Sequence, residues 1–178
     1  MATETAGPTA PGPAEGTADF ELARAREVAG NVPDPEVPCV TVADLGILRS
    51  VSRGETGKIT VKLTPTYSGC PAVIAIEMAV DAALLEAGIE ARIERVITPA
   101  WTTDWITAEG REKLRAYGIA PPAGSSGGRR AFFADEEIAC PRCGSSDTAK
   151  VSEFGSTACK AHYRCKSCAE PFDYFKCI

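Results

Sequence analysis

Eight cysteines and one histidine are the residues of this 178-residue chain most suited to chemistry, and their spacing sorts them into two sets. Cys140-Pro141-Arg142-Cys143 and Cys165-Lys166-Ser167-Cys168 are two Cys-x-x-Cys turns separated by 21 residues. The two-residue spacing lets both thiolates of one turn reach the same ion, and the second turn completes a tetrahedron, the donor set of structural zinc. Redox thiols or disulfides are the alternative that such pairs allow. Cys159, Cys177 and His162 lie in the same stretch. Any of them is an alternative zinc ligand, and Cys159 with Cys177 could serve a second, labile metal. Cys39 carries no assigned role.

Cys70 stands apart, in Thr64-Pro65-Thr66-Tyr67-Ser68-Gly69-Cys70-Pro71, where a strand ends and a helix begins. Pro71 suits the first helical position because its missing N–H would have no partner there, and Ser68 and Gly69 are acceptable caps. The unpaired N–H groups and macrodipole at a helix start favour a thiolate, the form that attacks electrophiles and binds metal. The sequence therefore predicts an ionised Cys70, with a small buried thiol as the plainer alternative. Thr64, Thr66 and Tyr67 add hydroxyl donors beside it. Upstream, in Val32-Pro33-Asp34-Pro35-Glu36-Val37-Pro38, alternate prolines hold the chain extended and fix the directions of Asp34 and Glu36. A solvated acidic loop is the other reading of this segment.

Hydrophobic patterning supplies the elements that must position these groups. Phe20 to Ala29 reads as a short helix capped by Asp19, with an uncertain packing face. Ile47–Ser52 and Gly57–Thr64 read as the two strands of a hairpin, the second alternating Ile59, Val61 and Leu63 with Lys58, Thr60 and Lys62. The helix from Pro71 carries two apolar rows, Val73, Ile76, Val80, Leu84 and Ile74, Met78, Ala82, Leu85, which fits a helix lying across a sheet and closed by Gly88. Ala91–Ile97 is a third strand. A loop with both tryptophans, Trp101 and Trp105, follows, suited to packing on the sheet edge or to covering a pocket. The next helix opens at Thr107 and ends near Tyr117-Gly118.

This order makes an α+β protein: a disordered tail over 1–18, a small α/β sandwich over 19–120, a Gly/Ser/Pro linker over 121–134 and a small β zinc ribbon over 135–178. The net charge is −5, but Arg129 to Ile178 holds eight Lys or Arg against seven Asp or Glu, which leaves −6 on residues 1–128. An acidic larger part argues against nucleic-acid binding, which needs clustered cations. No export signal or membrane-spanning run is present, so a cytoplasmic protein is expected, where thiols stay reduced and available to metal.

Asp34-Pro35-Glu36, Asp44-Leu45-Gly46, Thr64-Pro65-Thr66 and Gly69-Cys70-Pro71, with Trp101 in its Pro/Trp loop, resemble the SufT-like domain of iron-sulfur cluster assembly proteins. The carboxy-terminal segments Ser152–Ala161 and Glu170–Ile178, joined to that domain, resemble the PaaD family of the bacterial aerobic phenylacetate pathway. The resemblance implies an accessory role, not an enzyme, beside the multicomponent oxygenase that epoxidises the ring of phenylacetyl-CoA. It implies help with iron-sulfur cluster or iron-centre assembly, the oxygenase's iron-sulfur reductase subunit being the expected client. A non-catalytic structural subunit of that complex is the alternative. The family's cysteine falls on Cys70, a transient iron or cluster ligand. Thr64 and Thr66 would hydrogen-bond its sulfur, and Asp34 or Glu36 would complete the coordination. One cysteine per subunit is too few for a stable cluster, so a homodimer or the acceptor would supply the rest.

Overall fold

Ile59, Val61 and Leu63 alternate with polar residues, the pattern of a strand with one face in a core. In the computed structural model all three are buried. The structure describes residues 15–54, 57–67, 69–122 and 138–176. Strand β1 (Leu48–Arg53) pairs antiparallel with β2 (Ile59–Leu63), from Arg53↔Ile59 to Leu48↔Leu63. Strand β3 (Ala91–Arg95) pairs parallel with β2, Val61 opposite Ile93, after a crossover through helix α2 (Ala72–Glu86). The three-stranded sheet thus has the order β1-β2-β3.

Of the two apolar rows on α2, only Val73, Ile76, Val80 and Leu84 are buried. Ile74, Met78 and Leu85 are exposed by 57–68%, so the sheet covers half of the face that the composition offers. Helix α1 (Glu15–Gly30) begins before Phe20, so Asp19 lies inside it and does not cap it. Its contact positions are Ala25 and Ala29, fully buried, with Leu22 and Val28 partly buried. Two small residues at the centre of that face explain why its apolar stripe is faint in the sequence.

Helix α3 (Ala108–Tyr117) starts on Thr107, whose Oγ1 accepts the N–H of Gly110 at 2.9 Å, and stops at Gly118 with φ 95°. That left-handed turn, which glycine adopts without steric cost, redirects the chain into the two-residue strand β4 (Ile119–Ala120). Strand β4 pairs parallel with β7 (Pro171–Phe175). Strand β7 continues antiparallel through β6 (Lys160–Cys165) to β5 (Thr148–Ser152), making a second sheet of order β4-β7-β6-β5.

The ribbon is therefore bonded to the first sandwich. Two of its residues, Cys159 and Phe175, are buried in the sandwich core, while Ala120 joins the core of the ribbon. Trp101 anchors this junction: it is buried, its Nε1–H donates to the Leu45 carbonyl at 2.8 Å, and its ring lies 6.1 Å from that of Phe175. The 1–18 tail and the 121–134 linker fall mostly outside the described residues, but residues 15–18 belong to α1.

Candidate functional site: a four-sulfur knot and a thiol-lined cavity

In the ribbon, each Cys-x-x-Cys turn is closed by its own backbone bonds. Gly144 N–H meets the Cys140 carbonyl at 2.9 Å, and Cys165 N–H meets that of Glu170 at 2.9 Å. The turns face each other across the hairpin with Cys140 Sγ 3.8 Å from Cys168 Sγ and Cys143 Sγ 3.6 Å from Cys165 Sγ. All four sulfurs lie within 4.8 Å of one another. A tetrahedral ion at the Zn–S distance of about 2.3 Å sets its sulfurs about 3.8 Å apart. The donor set fits such an ion as it stands.

So many thiols in one place cannot all ionise without a cation. The N–H of Cys168, helped by the neighbouring thiols and opposed by burial, holds Cys165 down at about 7. At Cys168 a backbone bond at Glu170 favours the thiolate, but burial and the adjacent sulfurs outweigh it and push the thiol up to about 12. A divalent ion removes that conflict by displacing the protons. Of the alternative ligands, His162 lies away from the knot with Nδ1 3.7 Å from Asp173 Oδ1, Cys159 lies in the other core, and Cys177 falls outside the described residues.

The second centre forms where β2 gives way to α2. The chain turns through Cys70 N–H to the Tyr67 carbonyl at 3.1 Å, and α2 starts at Ala72, with Pro71 as a cap that makes no side-chain bond. Ser68 lies outside the described residues. Cys70 is half-buried and therefore within reach of solvent. The expectation that it is held ionised is not met: burial, foremost, and the nearby acids Glu36 and Asp34 push its thiol up. The Ala72 N–H and the Thr66 hydroxyl, which donate to the sulfur, do not offset this. The helix end acts as expected, but desolvation wins.

The two threonines separate. Thr66 bonds the Cys70 sulfur, whereas Thr64 Oγ1 is buried with no hydrogen-bond partner among the described residues, so Thr64 does not serve that sulfur as expected. Asp34 and Glu36 separate as well. Asp34 is buried, and its Oδ1 accepts the N–H groups of Glu36 and Val37, both at 2.8 Å, which makes it the brace of the proline segment. Glu36 is half-buried with no bond to its carboxylate among the described residues, which leaves it free to act on the site.

Both acids, Thr66 and Cys70 line one cavity of about 20 Å³, room for a single water-sized occupant. The rest of the wall is made of apolar residues of the sandwich, Val37, Leu45, Ile47 and Val73 among them, and of two residues of the ribbon, Phe175 and Cys159. Cys159 is 5% exposed, and its sulfur is 3.0 Å from Thr157 Oγ1. Burial pushes this thiol up, against the Thr157 bond and the charge of the buried Lys160 next to it. Cys39 sits half-buried at the edge of the same core but does not line the cavity.

The placement of Cys159 is what the sequence reading missed. Its one signal was arithmetic: two complete knuckles leave Cys159 without a task in the ribbon.

Asp44-Leu45-Gly46 is a structural joint. Asp44 Oδ2 accepts the Thr41 N–H and the Lys113 ammonium, both at 2.9 Å, and its carbonyl accepts the Thr107 N–H that opens α3. Gly46, at φ 67°, lies so close to Trp105 that a Cβ would stand 2.5 Å from its carbonyl oxygen. Trp101 both packs and forms a wall, bordering an open depression with Thr64, Pro65 and Tyr67.

Comparison with known proteins gives two family matches: residues 23–96 to the family described as iron-sulfur cluster assembly protein, and residues 125–176 to the PaaD zinc beta ribbon domain. A protein of Escherichia coli named as a subunit of 1,2-phenylacetyl-CoA epoxidase is 51% identical over 148 residues, covering 83% of this chain and 87% of that one. An Fe-S protein maturation auxiliary factor of Porphyromonas gingivalis is 33% identical over 83 residues, 46% of this chain and 78% of its own. Among solved structures, the DUF59 domain of unknown function from Bacillus anthracis superposes with a TM-score of 0.50 at 22% identity, covering 54% of this chain and 92% of that one, a likeness of fold.

Proposed function

The chain belongs to the PaaD family, together with the 1,2-phenylacetyl-CoA epoxidase subunit of E. coli, and from this membership we propose that it is a maturation factor for the oxygenase that epoxidises phenylacetyl-CoA. It does not perform the oxidation; it delivers iron or an iron-sulfur cluster to a component of that system, the iron-sulfur reductase subunit being the client proposed. The observation that carries this reading is the Cys70 cavity: a half-buried thiol, the Glu36 carboxylate and a hydroxyl donor on Thr66 line one small space open to the outside. Such mixed sulfur and oxygen donors suit iron, and their number is too small to keep it. Membership of the iron-sulfur assembly family and the maturation factor of P. gingivalis support the same reading.

The four-sulfur knot has the opposite character and serves as the structural zinc of the ribbon. Zinc there neither changes redox state nor leaves a position open, so it fixes the two turns and, through β6 and β7, the wall of the cavity.

The name of the E. coli relative favours a second reading, a subunit that only stabilises the complex. Co-expressing the oxygenase genes with the wild-type protein, with Cys70→Ser or without it separates the two. Iron and acid-labile sulfide fall in the client with Cys70→Ser under the maturation reading. Full metal content with a stoichiometric band of this protein in the purified complex would overturn it.

A further inference from the structure

The cavity of Cys70 is closed by a residue from the other end of the chain. Cys159 lies 89 positions downstream, in the segment that enters β6, and reaches Cys70 only because the ribbon docks on the sandwich through Phe175 and Trp101. A buried thiol used only for packing needs no acid beside it. Here both sulfurs share the space with the carboxylate of Glu36, which makes no bond among the described residues and is close enough for its charge to act on each of them. We propose that Cys159 is the second thiol of the Cys70 centre, so that a single divalent ion of the iron type is held between the two sulfurs with Glu36 as an oxygen donor.

The volume of about 20 Å³ admits one ion and not a cluster. Binding converts both thiols to thiolates and releases two protons for each ion taken up, so the charge of M²⁺ is matched by the two sulfurs. Each thiol keeps one hydroxyl donor, Thr66 for Cys70 and Thr157 for Cys159, able to bond the thiolate that forms. The buried ammonium of Lys160 favours the ionised form of Cys159. Among the described residues only the knot cysteines gather three or more donors at ligand distance of one another; Cys70, Cys159 and Glu36 share the cavity without standing at such separations, and holding an ion requires them to draw together. Two sulfurs and one oxygen leave a position on a four-coordinate ion for a ligand of the acceptor.

That the ion is cargo rests on the maturation reading; that the pair binds it does not. The test is anaerobic titration of the full chain, its ribbon zinc retained and measured alongside, with Co²⁺ as the probe. The wild type takes up one equivalent beyond zinc and develops a thiolate-to-cobalt charge-transfer band. Cys70→Ser and Cys159→Ser each halve the band and raise Kd by more than the about 10–100-fold that an outer-shell change costs. Glu36→Gln weakens binding without reducing the band.

A Cys159→Ser protein with the wild-type band and Kd overturns the proposal. Should that variant misfold, phenylarsine oxide, which captures two neighbouring thiols, decides on the wild type: it protects Cys70 and Cys159 together from iodoacetamide, and protection of neither overturns the pairing. If client iron falls with Cys70→Ser but not with Cys159→Ser, the maturation reading stands and this one fails. If both variants lose cobalt and client iron is unchanged, the reverse holds.

Discussion

The knot and the cavity both present cysteine sulfur, yet they are built for opposite ends. In the knot, four thiols from two turns already stand at metal-ligand separations, and two of them face solvent. Its chemistry is saturated once one ion is bound. In the cavity, two thiols from distant parts of the chain are protonated by burial, accompanied by acids and short of a full ligand set. The first arrangement retains metal, because every donor is anionic sulfur and none is open to exchange. Under the proposed reading the second loses protons to take an ion and regains them on giving it up, which is what a carrier requires. Residence time is thus set by how many donors are ready before the ion arrives.

The largest effect is expected at the knot. Cys143→Ser removes one of four ligands from a segment that has only a small core, and structural zinc supplies about 10–16 kcal/mol of folding energy in such units. Zinc content should fall from one equivalent to near zero, with the near-ultraviolet dichroism of Tyr163 and Tyr174 lost. Retention of zinc and dichroism would show that the four sulfurs are not the anchor of the ribbon. Because Cys159 immediately precedes β6 and Phe175 ends β7, the same variant should also open the cavity, seen as rapid alkylation of Cys159.

Next comes the junction. Phe175 is 1% exposed and packs on Trp101, so Phe175→Ala should cost about 3–5 kcal/mol. The measurement is the denaturation midpoint together with zinc content. Lower stability with zinc retained would separate the docking of the ribbon from its folding; zinc loss would mean that the two regions fold as one unit and that the contrast between them is less sharp.

These dependences mark where the sequence is legible and where it is not. The knot is read from spacing because its geometry is local: two residues between ligands decide it, and the hairpin only has to bring the turns together. The order of helices and strands through α3 is read from periodicity for the same reason. What periodicity does not carry is the choice between surfaces. Helix α2 has two apolar rows, and nothing in them says that Ile74, Met78 and Leu85 stay exposed. Strand β4 is two residues long, below any pattern, yet its pairing with β7 ties the chain leaving α3 to the ribbon sheet. Cys159 reaches Cys70 only through that docking. The ionisation of Cys70 escaped for another reason: a helix start lowers a thiol and burial raises it, and the depth of burial is a tertiary quantity.

Asp44 offers a smaller, pH-dependent effect away from both centres. Burial raises its carboxyl, but hydrogen bonds from Lys113 and Thr41 outweigh that and hold it below the ordinary carboxylate value. A depressed folded-state value means stability present above the unfolded value near pH 3.9 and lost as pH falls through the folded one. Asp44→Asn should therefore cost about 1–3 kcal/mol at pH 7 by urea denaturation, with the difference from wild type shrinking below about pH 4. Equal costs at both pH values would place the effect in packing and not in charge.

The smallest effect bears most directly on the cavity. Because burial and the nearby acids raise the Cys70 thiol above its ordinary value of 9.0, the metal-free protein should react slowly with iodoacetamide at neutral pH, its rate climbing only as pH passes above that value. Thr66 stabilises the thiolate through its hydroxyl, so Thr66→Val should move the profile further up, while Glu36→Gln, which removes a neighbouring negative charge, should move it down. Following the Cys70-containing peptide by mass spectrometry across pH gives both shifts without a client protein. The signs are opposite for substitutions on one cavity wall, so a general loosening of the fold, which would speed both variants, cannot imitate them. A profile midpoint below 9.0 in the wild type would show that the helix end prevails over burial. Cys70 would then be a resting thiolate like the saturated sulfurs of the ribbon, and the distinction between a site that keeps metal and one that passes it on would have to rest on ligand number alone.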